Sequence, residues 1–180
     1  MSEYTGAPHV VVTDCCTHAL EMSLRYDQVD ACSFTAHTYL CVPQLMRQLS
    51  ISYDLIDERW LGEYQFYGTR IWDSARLLRP NMFRPGQIQC VSFGNGKPLQ
   101  LGRVGAILTD DADFYGTVSR WRSDGRDLRI SPWQNQKSYD TGFHYCPTLE
   151  SCEQGIKKLE SVDPAPKYHH YPDLRTLDFS

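Results

Sequence analysis

A chain of 180 residues, 41% hydrophobic and 22% charged, can bury a core without help from metals or disulfides, and its composition excludes a disordered or low-complexity protein. Eighteen Lys and Arg against twenty-two Asp and Glu leave a net charge of −4, which excludes a broad electrostatic grip on duplex nucleic acid. No run approaches the ~20 apolar residues of a membrane helix, and the start, Met1-Ser2-Glu3-Tyr4, has neither the basic nor the apolar part of a secretory signal. An intracellular location, cytoplasmic or nuclear, is therefore expected, where an odd set of seven cysteines reads as thiols or metal ligands.

Taken in chain order, the first element is a short β-branched strand over Pro8 to Thr13. Thr17 to Tyr26 fits either a helix, through Ala19, Met22 and Tyr26, or the second strand of a hairpin turning at Asp14-Cys15. Ser33 to Val42 reads as a strand, and Pro43 opens a helix over Gln44 to Leu49. Glu63 to Thr69 is aromatic and strand-like, and Trp72, Ala75, Leu77 and Leu78 recur at helical spacing with Asp73 in the first turn, ending at Pro80. The four arginines 70, 76, 79 and 84 then form a solvated basic face.

Ile88 to Phe93 and Leu99 to Leu108, joined by Gly94-Asn95-Gly96-Lys97, give the clearest hairpin signal. A second hairpin is predicted from Tyr115 to Trp121 and Asp127 to Ile130 across Ser123-Asp124-Gly125. Gly142 to Cys146 reads as a short strand, Pro147 to Leu159 as a helix, and residues 163–180 as an extended, Pro- and aromatic-rich tail packed on the body. Together these predict an α+β fold: one domain over residues 1–180, with a mainly antiparallel sheet, several hairpins and three or four helices.

Two segments carry candidate chemistry. In Phe66-Tyr67-Gly68-Thr69-Arg70, a strand runs through Gly-Thr into a predicted helix, where bare backbone and unpaired N–H groups favour an anion. The second is Gly142-Phe143-His144-Tyr145-Cys146-Pro147-Thr148. Together they resemble the ADP-ribosyltransferase-like fold. That resemblance implies an NAD-like cofactor held by Tyr67, Gly68, Thr69, Arg70 and Tyr145, with Tyr67, Thr69 and Tyr145 converging on one cleft. The family's ribose-polarising glutamate has no counterpart here, so the resemblance implies nucleotide binding, with turnover altered or lost.

Other readings stand beside it. A non-catalytic interaction or assembly protein, contacting a protein partner or a second copy, would use the aromatics Tyr64, Phe66, Tyr67, Trp121, Trp133 and Tyr168 to Tyr171. Zinc could stabilise either form through Cys32, His37 and Cys41, or through His144, Cys146, Cys152, His169 and His170. The Cys-x2-Cys knuckle is missing, however, and no metal ligands are assigned. Cys16 at a possible helix start, with His9 upstream, meets the bare description of a thiol hydrolase.

Overall fold

The computed structural model describes residues 1–166 and 168–179. It is α+β with a mainly antiparallel mixed sheet, as expected from the sequence. A short α1 (Ser2–Thr5) leads into β1 (His9–Thr13), whose Val-Val-Val run suits a pleated, half-buried surface. The ambiguous segment that follows is helix α2 (Cys16–Tyr26), started by Cys15 as N-cap. β2 (Ala31–Thr35), α3 (Cys41–Gln48) and β3 (Ser52–Ile56) come next, with β2 and β3 paired parallel as a separate two-stranded sheet. Pro43 lies inside the first turn of α3, where its missing N–H leaves no helical bond broken.

The main sheet adds β4 (Tyr64–Gln65), β5 (Ile71–Asp73), β6 (Ile88–Ser92) and β7 (Gly105–Thr109), in the order β1-β7-β6-β5-β4. β7 runs antiparallel to both β1 and β6, and β5 runs parallel to β6. Hence β1, β5 and β6 all point the same way, and their carboxyl ends open on one edge.

Alternation along β6 and β7 sends Cys90 and Ile107 into one apolar layer, with Ala19, Leu20, Phe34, Phe66 and Phe114. Val91, Ala106 and Leu108 face a second layer with Ala7, Leu77, Leu78 and Phe93. Both faces of the central strands are thus covered, and every residue of β7 is buried. Helix α4 (Ala112–Trp121) packs on β1 and α2 through Phe114 and Val118, one turn apart, and starts where the Asp111 carboxylate accepts from the Phe114 N–H at 2.9 Å. Helix α5 (Leu149–Lys158) buries none of its residues.

Four local expectations are corrected. The helix predicted from Trp72 is strand β5: Ile71 and Asp73 are buried and pair with Ile88 and Cys90, and this pairing overrides the weak helical spacing. Arg70 and Arg84 therefore do not share a basic helical face; Arg70 pairs with Asp27 and Asp111, and Arg84 with Glu63. Tyr115 to Trp121 is helical, so the second hairpin is missing and residues 127–130 form no strand. The first hairpin has the predicted partners, but Ser92 pairs with Gly105, so residues 93–104 form a long loop, not a four-residue turn.

Candidate functional site

At the carboxyl edge of β1, β5 and β6 lies an open cleft of about 750 Å³. Sites of this kind recur at the ends of parallel strands, where the loops that follow can converge. β1 delivers Cys15, Cys16 and Thr17 at the start of α2; β5 delivers Asp73; β6 delivers Ser92 and the loop carrying Lys97. Thr38 and Tyr39 come from the segment after β2, and Trp60 and Arg76 from neighbouring loops.

Asp73 is the unusual group. It is 5% exposed, accepts from the Tyr64 hydroxyl at 2.8 Å and from the Ala75 N–H at 2.9 Å, and forms no ion pair among the described residues. The Tyr64 hydroxyl also bonds Thr38 at 2.7 Å, so the carboxylate is held from behind and turned to the cleft. Burial raises its pKa, partly offset by the Tyr64 hydrogen bond and by the positive charge of Lys97. A buried carboxylate facing an open cleft suits a cationic or N–H-bearing ligand. Lys97 sits in the Gly94-Asn95-Gly96 turn, where Gly96 adopts φ +72°, a value that glycine takes without strain. Lysine is scarce in this chain (97, 137, 157, 158 and 167), and this one lines the cleft.

The start of α2 forms the opposite wall. Helix starts leave N–H groups without a helical partner; here the His18 N–H donates to the Cys15 sulfur at 3.4 Å, and Cys15, Cys16 and Thr17 line the cleft together with Ser92. Beside them, one donor atom each from Asp14, Cys15 and His18 lie within 4.8 Å of one another. His18 Nδ1 is 2.6 Å from Asp14 Oδ1, and its ring stacks on Tyr145 at 3.6 Å. Burial works against the imidazolium, but hydrogen bonds to Cys15 and Asp14 outweigh it and push the His18 pKa up to about 9.

A His pKa raised above its unfolded value contributes stability in full below about pH 6.5, and loses it as pH rises to about 9. We expect the melting temperature to fall across that window in the wild type and to flatten in His18→Asn. A scan from pH 6 to pH 10 checks this; parallel slopes would refute it.

The C-terminal segment closes the cleft's outer side. Tyr171 is 7% exposed, stacked on Trp60 at 5.9 Å, with Arg76 donating to its hydroxyl at 3.2 Å. His169 packs on Tyr171, and both line the cleft. Farther on, buried Leu174 donates its N–H to the Ala36 carbonyl at 2.9 Å, and Arg175 pairs with Asp57. Tyr171→Ala removes a buried aromatic from this contact and should lower unfolding free energy by about 2–4 kcal/mol in urea titration.

The residues expected to bind a nucleotide lie elsewhere. Phe66 to Arg70 is a turn between paired strands: Phe66 donates to the Ile71 carbonyl at 3.0 Å, and Gly68 adopts φ +89°. No helix start follows it. Tyr67 bonds Glu58, and Thr69 bonds the Phe66 carbonyl. Gly68, Thr69 and Arg70 border a shallow depression on which Tyr145 has no face. Tyr145 sits between His18 and Phe143 and donates to Glu21 at 3.1 Å. None of the five lines the cleft of Lys97 and Asp73.

The zinc sets dissolve as well. Cys32 lies against Met46, His37 bonds Asp57 and Cys41 accepts from Thr17; His144 bonds Asp124, well apart from His169 in the cleft wall. The Asp14, Cys15 and His18 cluster offers three donors where structural zinc takes four. Cys16 is buried with its thiol pKa pushed well up, and His9 stacks on Tyr115, so the thiol-hydrolase pairing is also gone. Tyr64 and Phe66 belong to the core, leaving Tyr67, Trp133 and Tyr168 as exposed aromatics of that set.

No protein-family model matches the chain, and no curated protein matches it. Solved structures do. The chain superposes on the sugar aminotransferase CalS13 from Micromonospora echinospora with a TM-score of 0.64 at 13% identity, covering 87% of this chain and 58% of that one. NtdA from Bacillus subtilis, solved with bound cofactor PMP, gives 0.71 at 13% identity, covering 88% and 46%. PseC from Helicobacter pylori, an aminotransferase of pseudoaminic acid biosynthesis, gives 0.68 at 13% identity, covering 89% and 55%.

At these identities the likeness is one of fold, and the chain spans about half the length of these proteins. It overturns the expected kinship with ADP-ribosyltransferases and, with it, NAD and zinc as the expected cofactors. Lys97 and Asp73 escaped the sequence reading, which saw a turn residue and a helix-start acid. The usable signal was a lone lysine in a Gly-rich loop directly after a buried strand.

Proposed function

We propose that the cleft binds pyridoxal phosphate and that this chain is the cofactor-holding part of an amino-transferring enzyme acting on a carbonyl compound such as a keto sugar. One observation carries the reading: a buried carboxylate, Asp73, and the one lysine among the described residues that lines the cleft, Lys97, share a cavity with the start of helix α2. Structures of the same fold include sugar aminotransferases and one with bound PMP, which supports it.

The donor set fits the group. The cofactor has three handles: an aldehyde, a pyridine nitrogen and a phosphate. An amine, a carboxylate and a cluster of N–H and hydroxyl donors answer them. Bound pyridoxal phosphate supplies an electron-withdrawing ring through which an amino group passes between an amine and a carbonyl compound.

The chain's residues do the rest. Asp73, its carboxylate oriented by Tyr64 and the Ala75 N–H, would keep a proton on the ring nitrogen. The Lys97 amine would hold the cofactor at its aldehyde and would carry protons at Nζ. The start of α2, with the Thr17 and Ser92 hydroxyls, binds the phosphate. Trp60, Tyr39 and Tyr171 exclude water from the outer side, and Arg76 and Arg103 favour an anionic substrate.

The test is titration of the purified chain with pyridoxal phosphate, followed by borohydride reduction and peptide mapping. We expect stoichiometric labelling at Lys97. Uniform labelling of the other lysines, with no change in visible absorption, would end the proposal.

A further inference from the structure

The cleft carries the opposite sign to the chain around it. Net charge is −4, yet among the described residues the acidic and basic side chains lining the cleft are Asp73 alone against Arg76, Lys97 and Arg103. That surplus draws an anion into the cleft. His169 feels the same field: burial, then the charges of Arg76 and Lys97, lower its pKa.

Arg76 is set apart by what it bonds. Arg70, Arg84 and Arg175 are each held by a carboxylate, whereas Arg76 forms no ion pair among the described residues. Its charged donors are spent on neutral acceptors instead. Nε donates to the Tyr171 hydroxyl at 3.2 Å, and Nη1 donates to the Gly96 carbonyl at 3.2 Å, next to Lys97. The guanidinium carbon also stands 5.6 Å from the centre of the Tyr171 ring. An oxyanion is a stronger partner for a guanidinium than a phenol is, through opposite charge and a two-bonded fork.

Tyr171 is placed as a cap on this group. Tyr168, His169, His170 and Pro172 around it are exposed, but Tyr171 is 7% exposed, its ring stacked on Trp60 at 5.9 Å. The segment is pinned separately three residues on, where Leu174 is 1% exposed and its N–H donates to the Ala36 carbonyl at 2.9 Å. Tyr171 can therefore leave Arg76 without the segment coming off the body.

We propose that Arg76 is a masked oxyanion-binding subsite and that Tyr171 is its autoinhibitory cap: a small ligand bearing an oxyanion takes Arg76 Nε from the Tyr171 hydroxyl. A neutral ligand gains nothing there that the phenol does not already supply, so the cap selects for charge. This deepens the proposed function by assigning the substrate's anionic group to one residue, and it rests on that reading only in calling the occupant a substrate. Anion binding at Arg76 needs no cofactor.

The test titrates succinate into the cofactor-free chain by calorimetry at low ionic strength. Tyr171→Phe keeps the ring on Trp60 and removes only the competing oxygen, so it should bind succinate about tenfold more tightly than the wild type. A residue of merely structural importance would lose binding on substitution and not gain it. Arg76→Gln should bind about tenfold more weakly than the wild type. The double variant should bind no better than Arg76→Gln, because the gain runs through Arg76.

Should Arg76→Gln fail to fold, Arg76→Lys, which keeps the charge without the fork, takes its place in the cycle. Equal or weaker succinate binding in Tyr171→Phe would overturn the proposal, as would a gain that survives without Arg76, or no binding by either protein at millimolar succinate. Pyridoxal phosphate labelling of Lys97 is scored by itself in the wild type, so either reading can fail while the other stands.

Discussion

In Lys97→Ala, borohydride trapping of pyridoxal phosphate should fall to background, because Lys97 is the one lysine among the described residues that lines the cleft with Asp73. The companion variant Asp73→Asn should still trap the cofactor, but with affinity weaker by about 2–3 kcal/mol, on the order of a hundredfold in Kd. That loss is the expected effect of removing the charged partner of a ring N–H in a buried site.

The two variants should part again on stability. Asp73 has a pKa raised by burial, so without cofactor its carboxylate costs stability as pH rises from the unfolded pKa through the higher folded one. Asp73→Asn should therefore leave the cofactor-free protein equally stable or more stable at neutral pH, while weakening the loaded one. Urea unfolding with and without pyridoxal phosphate checks both signs. A variant destabilised in both states would mean that Asp73 serves only the Thr38–Tyr64 hydrogen-bond chain, and the cofactor role would fall.

Gly105→Ala should be among the most damaging single-methyl changes in the chain. Gly105 pairs with Thr13 on one side and Ser92 on the other, directly under the start of α2. A methyl there would stand 2.5 Å from both the Cys15 carbonyl carbon and the Cys16 nitrogen, and 2.8 Å from the Cys15 oxygen. These are atoms of the Cys15–Cys16 peptide that joins the N-cap to the helix, and no side chain can turn aside to make room. The expected cost is about 3 kcal/mol, the upper end for overpacking, measured as a shift in urea midpoint.

Pyridoxal phosphate capture should be lost with it, since the helix start proposed to bind the phosphate must move. Gly116→Ala is the control: it lies inside α4, and its new methyl would meet nothing closer than Arg120 Nη1 at 3.7 Å. It should stabilise the chain by about 0.5–1 kcal/mol through helix propensity. If Gly105→Ala behaved like Gly116→Ala, the close approach of β7 to the α2 start would be wrong.

The legible parts of the fold were those with strong local signals. Val10-Val11-Val12 announced β1, the β6 and β7 segments announced an antiparallel pair, and Thr148 capping Leu149–Lys158 announced α5. The misread parts were those where distant partners outweighed local preference. Trp72 and Asp73 have helical neighbours in sequence, but each is claimed by β6 at one side and β4 at the other. Tyr115 to Trp121 looked strand-like because it is aromatic and β-branched, yet an Asp111 cap and buried Phe114 and Val118 one turn apart make it a helix.

What the amino-acid sequence determined by itself was the class: an α+β body with enough apolar residues for a core and too little positive charge for a nucleic-acid scaffold. What only the tertiary structure decided was the direction of the strands. A five-residue strand has the same two-residue period whether its neighbour runs parallel or antiparallel, so nothing local to Thr13, Asp73 or Ser92 states that all three end at one edge. That shared edge brings a helix start, a carboxylate and an amine from three remote segments to one cleft, and the chemistry proposed here exists only because they meet.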